Sequence, residues 1–264
     1  MSDHPTLSRA FLSRYQNGAI VNGKLIPMPG GNTANISGLG LFQPRLGFDW
    51  QPTRRITVRG GGGIFGGGTP DVYVSNSFSN TGVLSNSIST NRTTTGCTTL
   101  PTPLCSSALN GVTGTSIPSD VGSYLAGTTA STASTVNALD PNFKVPSQWR
   151  ATLTGEYRAN LGPLGDDWVF GADFLYSKVR NQVYFTDIRS VPIPGSFTPD
   201  GRQRYQNLID GPASTNTNTD ILLTNTKKGR SYVAVARFDK SWDFGLNING
   251  SFTYQDVKDR APAT

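Results

Sequence analysis

The chain has 264 residues, a net charge of +6 and a single histidine, His4. Aromatic residues reach 10% and charged residues only 15%, which argues against wholesale disorder, because disordered chains are poorer in aromatics and richer in charge. One histidine excludes any metal site or mechanism that needs two. The basic residues are scattered, with no run longer than a pair, so we expect no nucleic-acid partner.

Targeting signals are not evident in the sequence. No apolar run approaches the ~20 residues of a membrane-spanning helix. Residues 1–20 also lack the basic and apolar regions of a secretory signal. Taken literally, these absences predict a cytosolic protein, but the patterning of the remaining chain argues against that.

Six segments alternate between apolar and polar residues. Because successive side chains of a strand point to opposite faces, each segment is predicted to be a strand with one apolar side. Asn249-Gly250 could form a hairpin turn, but the alternation runs through it without a change of phase, so we predict one uninterrupted strand there. In chain order the predicted strands are residues 42–50, 55–65, 149–158, 168–176, 231–239 and 242–255.

Short and long connections alternate between these strands. The short ones are residues 51–54, 159–166 and 239–241, whereas the long ones cover 66–140 and about 180–228. Structureless loops of that length usually have a function or are disordered. We therefore divide the chain into an N-terminal loop region, three hairpins and two long loops, at residues 1–40, 41–65, 66–140, 141–180, 181–228 and 229–256.

The positions of the aromatic residues favour a membrane protein. Trp50, Tyr157, Trp168 and Trp242 lie on the apolar faces beside the short connections, and Tyr176, Tyr232 and Tyr254 lie on those faces at the opposite ends. The eight residues from Trp168 to Tyr176 span roughly 26 Å of strand, or ~19 Å of depth at 45° tilt, the height of an apolar band between two aromatic girdles. We therefore predict an all-β fold, an antiparallel transmembrane β-barrel portion of about six strands and three hairpins, with periplasmic short turns and long extracellular loops.

The polar faces then face a lumen. They contain the charged residues Arg45, Arg59, Arg150, Glu156, Arg158, Asp173 and Arg237. One interpretation is a charge-paired wall that holds water or a plug, and the other is a docking or conduction surface for an anionic solute.

A soluble or surface-attached β-sandwich is the alternative fold. Its Ser/Thr/Asn-rich loops would bind a glycan or a protein, and its apolar face would be buried in a water-soluble core. Contact of the aromatic side chains with lipid distinguishes the two, because only the barrel turns those rings towards acyl chains.

Three stretches resemble TonB-dependent outer-membrane receptors, particularly the Oar-like subgroup. The first is FQPRLGFDWQPTRRITVRGGGGIFGGGTPDVYVSNSFSNTG at Phe42–Gly82, in which a hairpin, a glycine run and the following loop occur together. VPSQWRATLTGEYRA (145–159) and SWDFGLNINGSFTYQDVKDRAP (241–262) are similar to later barrel strands of the group. The resemblance covers about half of the chain and contains no catalytic signature.

The resemblance implies energised uptake of a scarce solute, such as a ferric siderophore, cobalamin or a glycan. Such a receptor has a barrel of about 22 strands, an N-terminal plug and a segment that contacts TonB. This sequence has no recognisable signal peptide, plug or TonB-contacting segment, and it ends in APAT where the family usually ends in an aromatic residue. We therefore expect a barrel fragment that does not transport unaided. Its expected partners are outer-membrane lipid, the rest of the barrel and plug, an unidentified solute, and TonB indirectly through the plug.

The glycine run from Gly61 to Gly66 matches a G-x-G-x-x-G nucleotide motif. Such a site needs a helix that opens at the loop and presents its N-terminus to the pyrophosphate. Because the following residues, 67–73, are predicted not to be helical, we expect no bound nucleotide and assign the glycines to a barrel strand.

The two cysteines, Cys97 and Cys105, lie in the first long loop. A disulfide suits an extracellular loop, reduced thiols suit a mislocalised fragment, and two thiols without a nearby histidine fall short of a four-ligand metal site. We expect a disulfide if the loop is at the cell surface.

The sequence shows little evidence of a catalytic site. Asp166 and Asp167 are adjacent carboxylates in a short polar turn, which offers no pocket that would separate their pKa values. We therefore expect no enzyme activity, no cofactor and no bound metal.

Overall fold

The computed structural model describes residues 4–67, 71–83, 88, 90, 100–127, 135–208 and 218–259. In this part of the chain there are four short helices and twelve strands, with a 3-10 turn at Gly162–Leu164. The helices are α1 (Arg9–Arg14), α2 (Asp71–Ser79), α3 (Thr102–Asn110) and α4 (Ser119–Gly127). The strands are β1 (Ala19–Val21), β2 (Lys24–Ile26), β3 (Arg45–Thr53), β4 (Ile56–Gly66), β5 (Val136–Leu139), β6 (Ser147–Ala159), β7 (Trp168–Asp187), β8 (Ser190–Phe197), β9 (Gln203–Asn207), β10 (Asp220–Thr226), β11 (Arg230–Ser241) and β12 (Asn247–Lys258).

The chain divides into two compact units, which we name by what they contain. The sheet unit consists of Ile36–Asp71, Asn142–Phe185 and Leu223–Thr264. The loop unit consists of Met1–Asn35, Val72–Pro141 and Thr186–Leu222.

The sheet unit is built on six long antiparallel strands in the order β12-β11-β7-β6-β4-β3. The predicted hairpins are present as β3–β4, β6–β7 and β11–β12. β5 and β10 also pair with each other, and β10 pairs with β7, so the whole sheet has eight strands and the predicted total of about six strands is too low. Within the described residues β3 and β12 do not pair with each other, and the sheet is open.

The short connections differ from the predicted ones. β3 continues to Thr53, whose Oγ1 accepts from the Arg55 and Ile56 amides, so the first turn is Arg54-Arg55. The prediction that residues 239–241 form the third turn is wrong. That turn is Trp242–Leu246, closed by a hydrogen bond from the Trp242 amide to the Leu246 carbonyl, 2.9 Å long. The apolar alternation continues through the turn, so periodicity alone could not locate it.

Asn249-Gly250 lies inside β12, as the unbroken alternation predicted. Register pairs Asn249 with Asp239 and Gly250 with Phe238. The phase of the polar and apolar residues therefore outweighs the turn propensity of the Asn-Gly dipeptide here.

The prediction that no helix follows the glycine run is wrong. Helix α2 begins at Asp71, shortly after the run. The motif residues Gly61–Gly66 are nevertheless part of β4 and pair in unbroken register with Thr152–Ser147 of β6. A strand in a regular ladder does not form the loop that wraps a phosphate, so the structure gives this run a sheet role.

The regions predicted as long loops contain regular structure. Helices α2 to α4 and β5 lie in residues 66–140, α1 and the β1–β2 hairpin in residues 1–40, and the β8–β9 hairpin in residues 181–228. β7 also extends eleven residues beyond the predicted end at residue 176. Short apolar segments among many Ser, Thr, Asn and Gly residues gave too weak a periodicity to reveal these elements.

The loop unit has a buried core of its own. Its fully or almost fully buried apolar side chains include Phe11, Met28, Leu139 and Leu222. Ser8 precedes α1, and its hydroxyl caps the helix by accepting from the Phe11 amide. The rings of Phe11 and Tyr15 pack with centroids 4.7 Å apart. None of the helices in the described part of the chain is both long and apolar enough to cross a membrane.

Candidate functional site

One face of the six long strands is polar and the other is apolar. Register rows across the strands, such as Thr57–Glu156–Gly171–Arg237, show which residues share a face. By this alternation the seven charged residues predicted from the sequence lie on the polar face: Arg45, Arg59, Arg150, Glu156, Arg158, Asp173 and Arg237. That this face lines a lumen stays a prediction.

Arg237 crosses a whole strand on the polar face. Register places it beside Gly171 of β7, and Gly171 beside Glu156 of β6. The guanidinium extends over Gly171 and donates to Glu156, while its Nε donates to Asp173 Oδ2 at 3.2 Å. A Cβ on Gly171 would lie 2.7 Å from Arg237 Cζ. The absence of a side chain at Gly171 therefore makes room for the guanidinium.

A second ion pair lies near the first, also towards the short turns. Arg59 Nε donates to Asp49 Oδ2 at 2.9 Å between β4 and β3. In register, Arg59 lies beside Thr154, and Thr154 beside Asp173. This half of the polar face therefore has the character of a charge-paired wall.

The half towards the long loops is different. Arg45 and Arg150 flank Gly63 in register, and their guanidinium carbons lie 4.3 and 5.6 Å from the ring centroid of Phe65. Among the described residues no carboxylate lies within ion-pair distance of either arginine. Phe65 stabilises both cations through its ring face. Arg45 Nη2 donates to Gln43 Oε1 at 3.1 Å, and the Gln148 side-chain oxygen accepts from Arg150, which leaves the other N–H groups of the two guanidiniums for an anion. This half fits the docking interpretation of the polar face.

A cavity of about 490 Å³ lies at the same end of the sheet unit. Phe65, Arg150 and the hydroxyls of Ser177 and Ser231, whose oxygens are 2.8 Å apart, line it. Arg230, Lys258 and Asp259 also border it, although alternation turns the side chains of Arg230 and Lys258 to the apolar face. The arrangement offers the Arg150 cation and two hydroxyl donors to a polar ligand.

The apolar face carries aromatic clusters at two levels. Near the short turns, Trp168 packs edge-on against Trp242 with ring centroids 5.9 Å apart. Near the long loops, the rings of Tyr176 and Tyr232 lie 5.1 Å apart. The remaining predicted girdle residues, Trp50, Tyr157 and Tyr254, are all exposed. Whether these levels coincide with the membrane interfaces stays a prediction.

Of the two cysteines, Cys105 is fully buried in α3 and is not a free thiol. Its predicted partner, Cys97, lies outside the described residues. The disulfide between them stays a prediction.

Sequence reasoning missed a buried charge cluster in the loop unit. Both oxygens of the Asp220 carboxylate accept from Arg14, at 2.9 and 3.0 Å, and Arg189 lies 2.8 Å away on another side. The Tyr15 hydroxyl also donates to this carboxylate, at 2.9 Å. Asp220 and Arg189 are completely buried. The contacts join residues as much as 206 positions apart, so no local sequence pattern indicated them.

The cluster changes the titration of Tyr15. Burial raises the pKa of the Tyr15 phenol far above its ordinary value, and the negative charge of Asp220 raises it further. The phenol therefore stays protonated and keeps its hydrogen bond to Asp220 throughout the physiological pH range.

Known proteins share features with this chain. A family model described as "outer membrane beta barrel domain" matches residues 5–263. The siderophore receptor PirA from Pseudomonas aeruginosa has a similar solved structure, with a TM-score of 0.40 and 15% sequence identity. The similarity covers 84% of this chain and 29% of that receptor, so the chain spans less than a third of the receptor's length. No curated protein matches the chain significantly.

Proposed function

Because the chain belongs to the outer membrane beta barrel domain family, and is therefore an outer-membrane protein, we propose that it is part of the barrel of a TonB-dependent receptor. The receptor takes up a scarce solute, with energy supplied through TonB. The resemblance of Phe42–Gly82 to the Oar-like subgroup supports this finer assignment. The transported solute is unidentified.

The observation that carries the proposal is the two-sided sheet. Its apolar face leaves large side chains uncovered, including Phe252 at 72% exposure and Trp50 at 60%. The opposite face holds the ion pairs of Arg237 and Arg59. A soluble sandwich packs its apolar face inside, whereas a membrane barrel turns that face towards lipid.

Transport requires more of the barrel than this chain. β3 and β12 each have one neighbour in the sheet, so the outer row of backbone N–H and C=O groups of each strand has no strand partner among the described residues. Such groups are costly in hydrocarbon, and only a closed barrel removes them. We therefore assign uptake to the complete receptor and not to this chain alone.

Lipid contact is the first test. The chain is refolded with lipid vesicles, and its tryptophan fluorescence is measured with acyl chains brominated at different depths. We expect strong quenching of Trp168 and Trp242 by lipids brominated near the headgroup, because a membrane barrel exposes these rings at an interface. A water-soluble monomer whose tryptophans no lipid quenches would support the β-sandwich that binds glycan or protein, and the barrel assignment would be wrong.

TonB dependence needs a separate test in cells. The complete reading frame that contains this chain is expressed with and without a functional TonB protein, and the uptake of ferric siderophores, cobalamin and glycans is compared. We expect uptake of one solute class only in cells with TonB. Uptake that is equal in both strains would contradict energised transport while leaving the barrel assignment intact.

A further inference from the structure

Three basic residues form a row across neighbouring strands at the long-loop end of the sheet unit. Register pairs Arg230 of β11 with Lys178 of β7 on one side and with Lys258 of β12 on the other. All three side chains are exposed. Since neighbouring strands are about 4.8 Å apart, the row spans about 10 Å. We call Lys178, Arg230 and Lys258 the outer basic row.

The outer basic row lies on the apolar face, just beyond the tyrosine level. Lys178 follows Tyr176 by two positions, and Arg230 precedes Tyr232 by two, so alternation places these side chains on one face. The Arg230 guanidinium carbon lies 5.4 Å from the ring centroid of Tyr232, which confirms that it extends along this face. The row is therefore the next layer outward from the apolar band, on the side of the long loops.

The charges near the outer basic row are unbalanced in the part of the chain that the structure describes. Among the described residues no carboxylate lies within ion-pair distance of any member of the row. Among the described residues of β11, β12 and the segment 168–178 of β7, Asp256 is the one carboxylate on the same face, one layer nearer the band and beside Tyr232. At the short-turn end, by contrast, Lys240 is buried and donates to the Asp166 carbonyl.

We propose that the outer basic row binds the phosphate groups of lipid headgroups in the extracellular leaflet. Tyrosine rings sit at the level where acyl chains meet headgroups, so cations one layer farther out lie at the depth of the phosphates. Lysine and arginine N–H groups are strong phosphate donors, and three of them in one row can contact a single headgroup from several sides. The proposal needs the apolar face to contact lipid, but it depends on neither uptake nor TonB.

Trp149 supplies a local probe. It pairs with Lys178 in register and is half exposed on the apolar face, whereas the other three tryptophans, Trp50, Trp168 and Trp242, are at the short-turn end. A protein in which those three are replaced by Phe therefore reports on the outer basic row alone. It is refolded into phosphatidylcholine vesicles with a small fraction of brominated lipid, either phosphatidic acid or phosphatidylcholine.

We expect brominated phosphatidic acid to quench Trp149 more strongly than brominated phosphatidylcholine at equal content. The triple variant Lys178→Gln/Arg230→Gln/Lys258→Gln should lose this preference, by about fivefold in relative association for each cation at low salt. Added salt should weaken the preference of the parent protein. The matched control Arg9→Gln/Lys24→Gln/Arg204→Gln removes three exposed cations from the loop unit and should keep the full preference.

Several results would overturn the proposal. An unchanged preference in the triple variant, or in Arg230→Gln alone if the triple variant does not fold by circular dichroism, would contradict a phosphate site at this row. Binding of inorganic phosphate that abolishes the preference would assign the cations to a soluble anion in the neighbouring cavity. Quenching of Trp168 and Trp242 in the unsubstituted protein, without quenching of Trp149 in the single-tryptophan protein, would refute the outer basic row and leave the barrel assignment standing. No quenching in either protein would refute the barrel.

Discussion

The two units of this chain place their large apolar side chains differently. In the loop unit, apolar side chains such as Phe11 and Leu222 are inside, and even the charged Asp220 and Arg189 are buried as partners. In the sheet unit, Phe252 and Trp50 are largely exposed, and the ion pairs lie on the other face of the same strands. The first is the arrangement of a protein in water, and the second is that of a sheet with lipid on one side.

One chain can therefore contain a unit whose residue pattern suits water and a sheet whose apolar face suits lipid. The effect of a substitution on the free energy of unfolding therefore depends on the unit in which the residue lies. A charge lost from the Asp220 cluster disturbs a buried network in the loop unit, whereas a charge added to the apolar face of the sheet unit meets hydrocarbon. Four substitutions or conditions test this contrast.

The largest effect is expected from Asp220→Asn in the loop unit. The change leaves Arg14 and Arg189 buried without their shared carboxylate, at a cost of about 3–5 kcal/mol in the free energy of unfolding. Amide hydrogen exchange should become faster in residues 4–35 and stay unchanged in β11. The control Asp200→Asn removes an exposed ion pair with Arg202 and should change neither region. Equal loss of protection in both units would contradict separate stabilities.

The second effect is expected from Phe252→Lys in the sheet unit. Phe252 lies in register with Ala236, between the two aromatic levels, where a lysine costs about 2–4 kcal/mol in a bilayer. The fraction of protein folded into vesicles at increasing urea measures this cost. Ile20→Lys is the matched control, because Ile20 is equally exposed but lies in β1 of the loop unit, where water accepts the charge. If the two variants behaved alike, the apolar face would not contact lipid.

Alkaline pH should weaken the loop unit alone. The folded-state pKa of Tyr15 is raised, so its stabilising contribution is complete below the unfolded-state pKa near 10 and declines as the pH rises beyond it. The expected decline is about 1.4 kcal/mol for each pH unit, measured by proteolysis within residues 4–35 in urea. Tyr15→Phe should remove the extra decline. A decline of the same size in that variant would show that another group is responsible.

The smallest effect is expected from Gly171→Ala. The new Cβ would displace the Arg237 guanidinium and break its contact with Glu156, which is partly exposed, so the cost is about 1 kcal/mol. Urea unfolding from vesicles measures it. Gly155→Ala, where a Cβ meets nothing within 4 Å, should be neutral. If both variants lost the same free energy of unfolding, the cost would come from the backbone of the strand and not from displacement of the Arg237 guanidinium.

The sequence was informative where structure is local. Alternation predicted the six long strands, their three hairpins and the faces that Arg237 and Glu156 share, because side-chain direction depends only on position along a strand. It misplaced the third turn, since Trp242 and Phe244 keep the apolar phase outside β12. It also left residues 66–140 as loop, because their short helices gave too little periodicity.

Only the tertiary structure decided which distant residues meet. That Arg237 reaches Glu156 over Gly171 depends on the register of three strands, and that Asp220 holds Arg14 depends on segments more than two hundred residues apart. The sequence by itself determined the two-sided pattern of the strands, and with it the outer-membrane fold class, because that pattern repeats every two residues. Register and long-range packing arise from the whole chain, so the charge cluster, the cavity and the outer basic row became visible only in three dimensions.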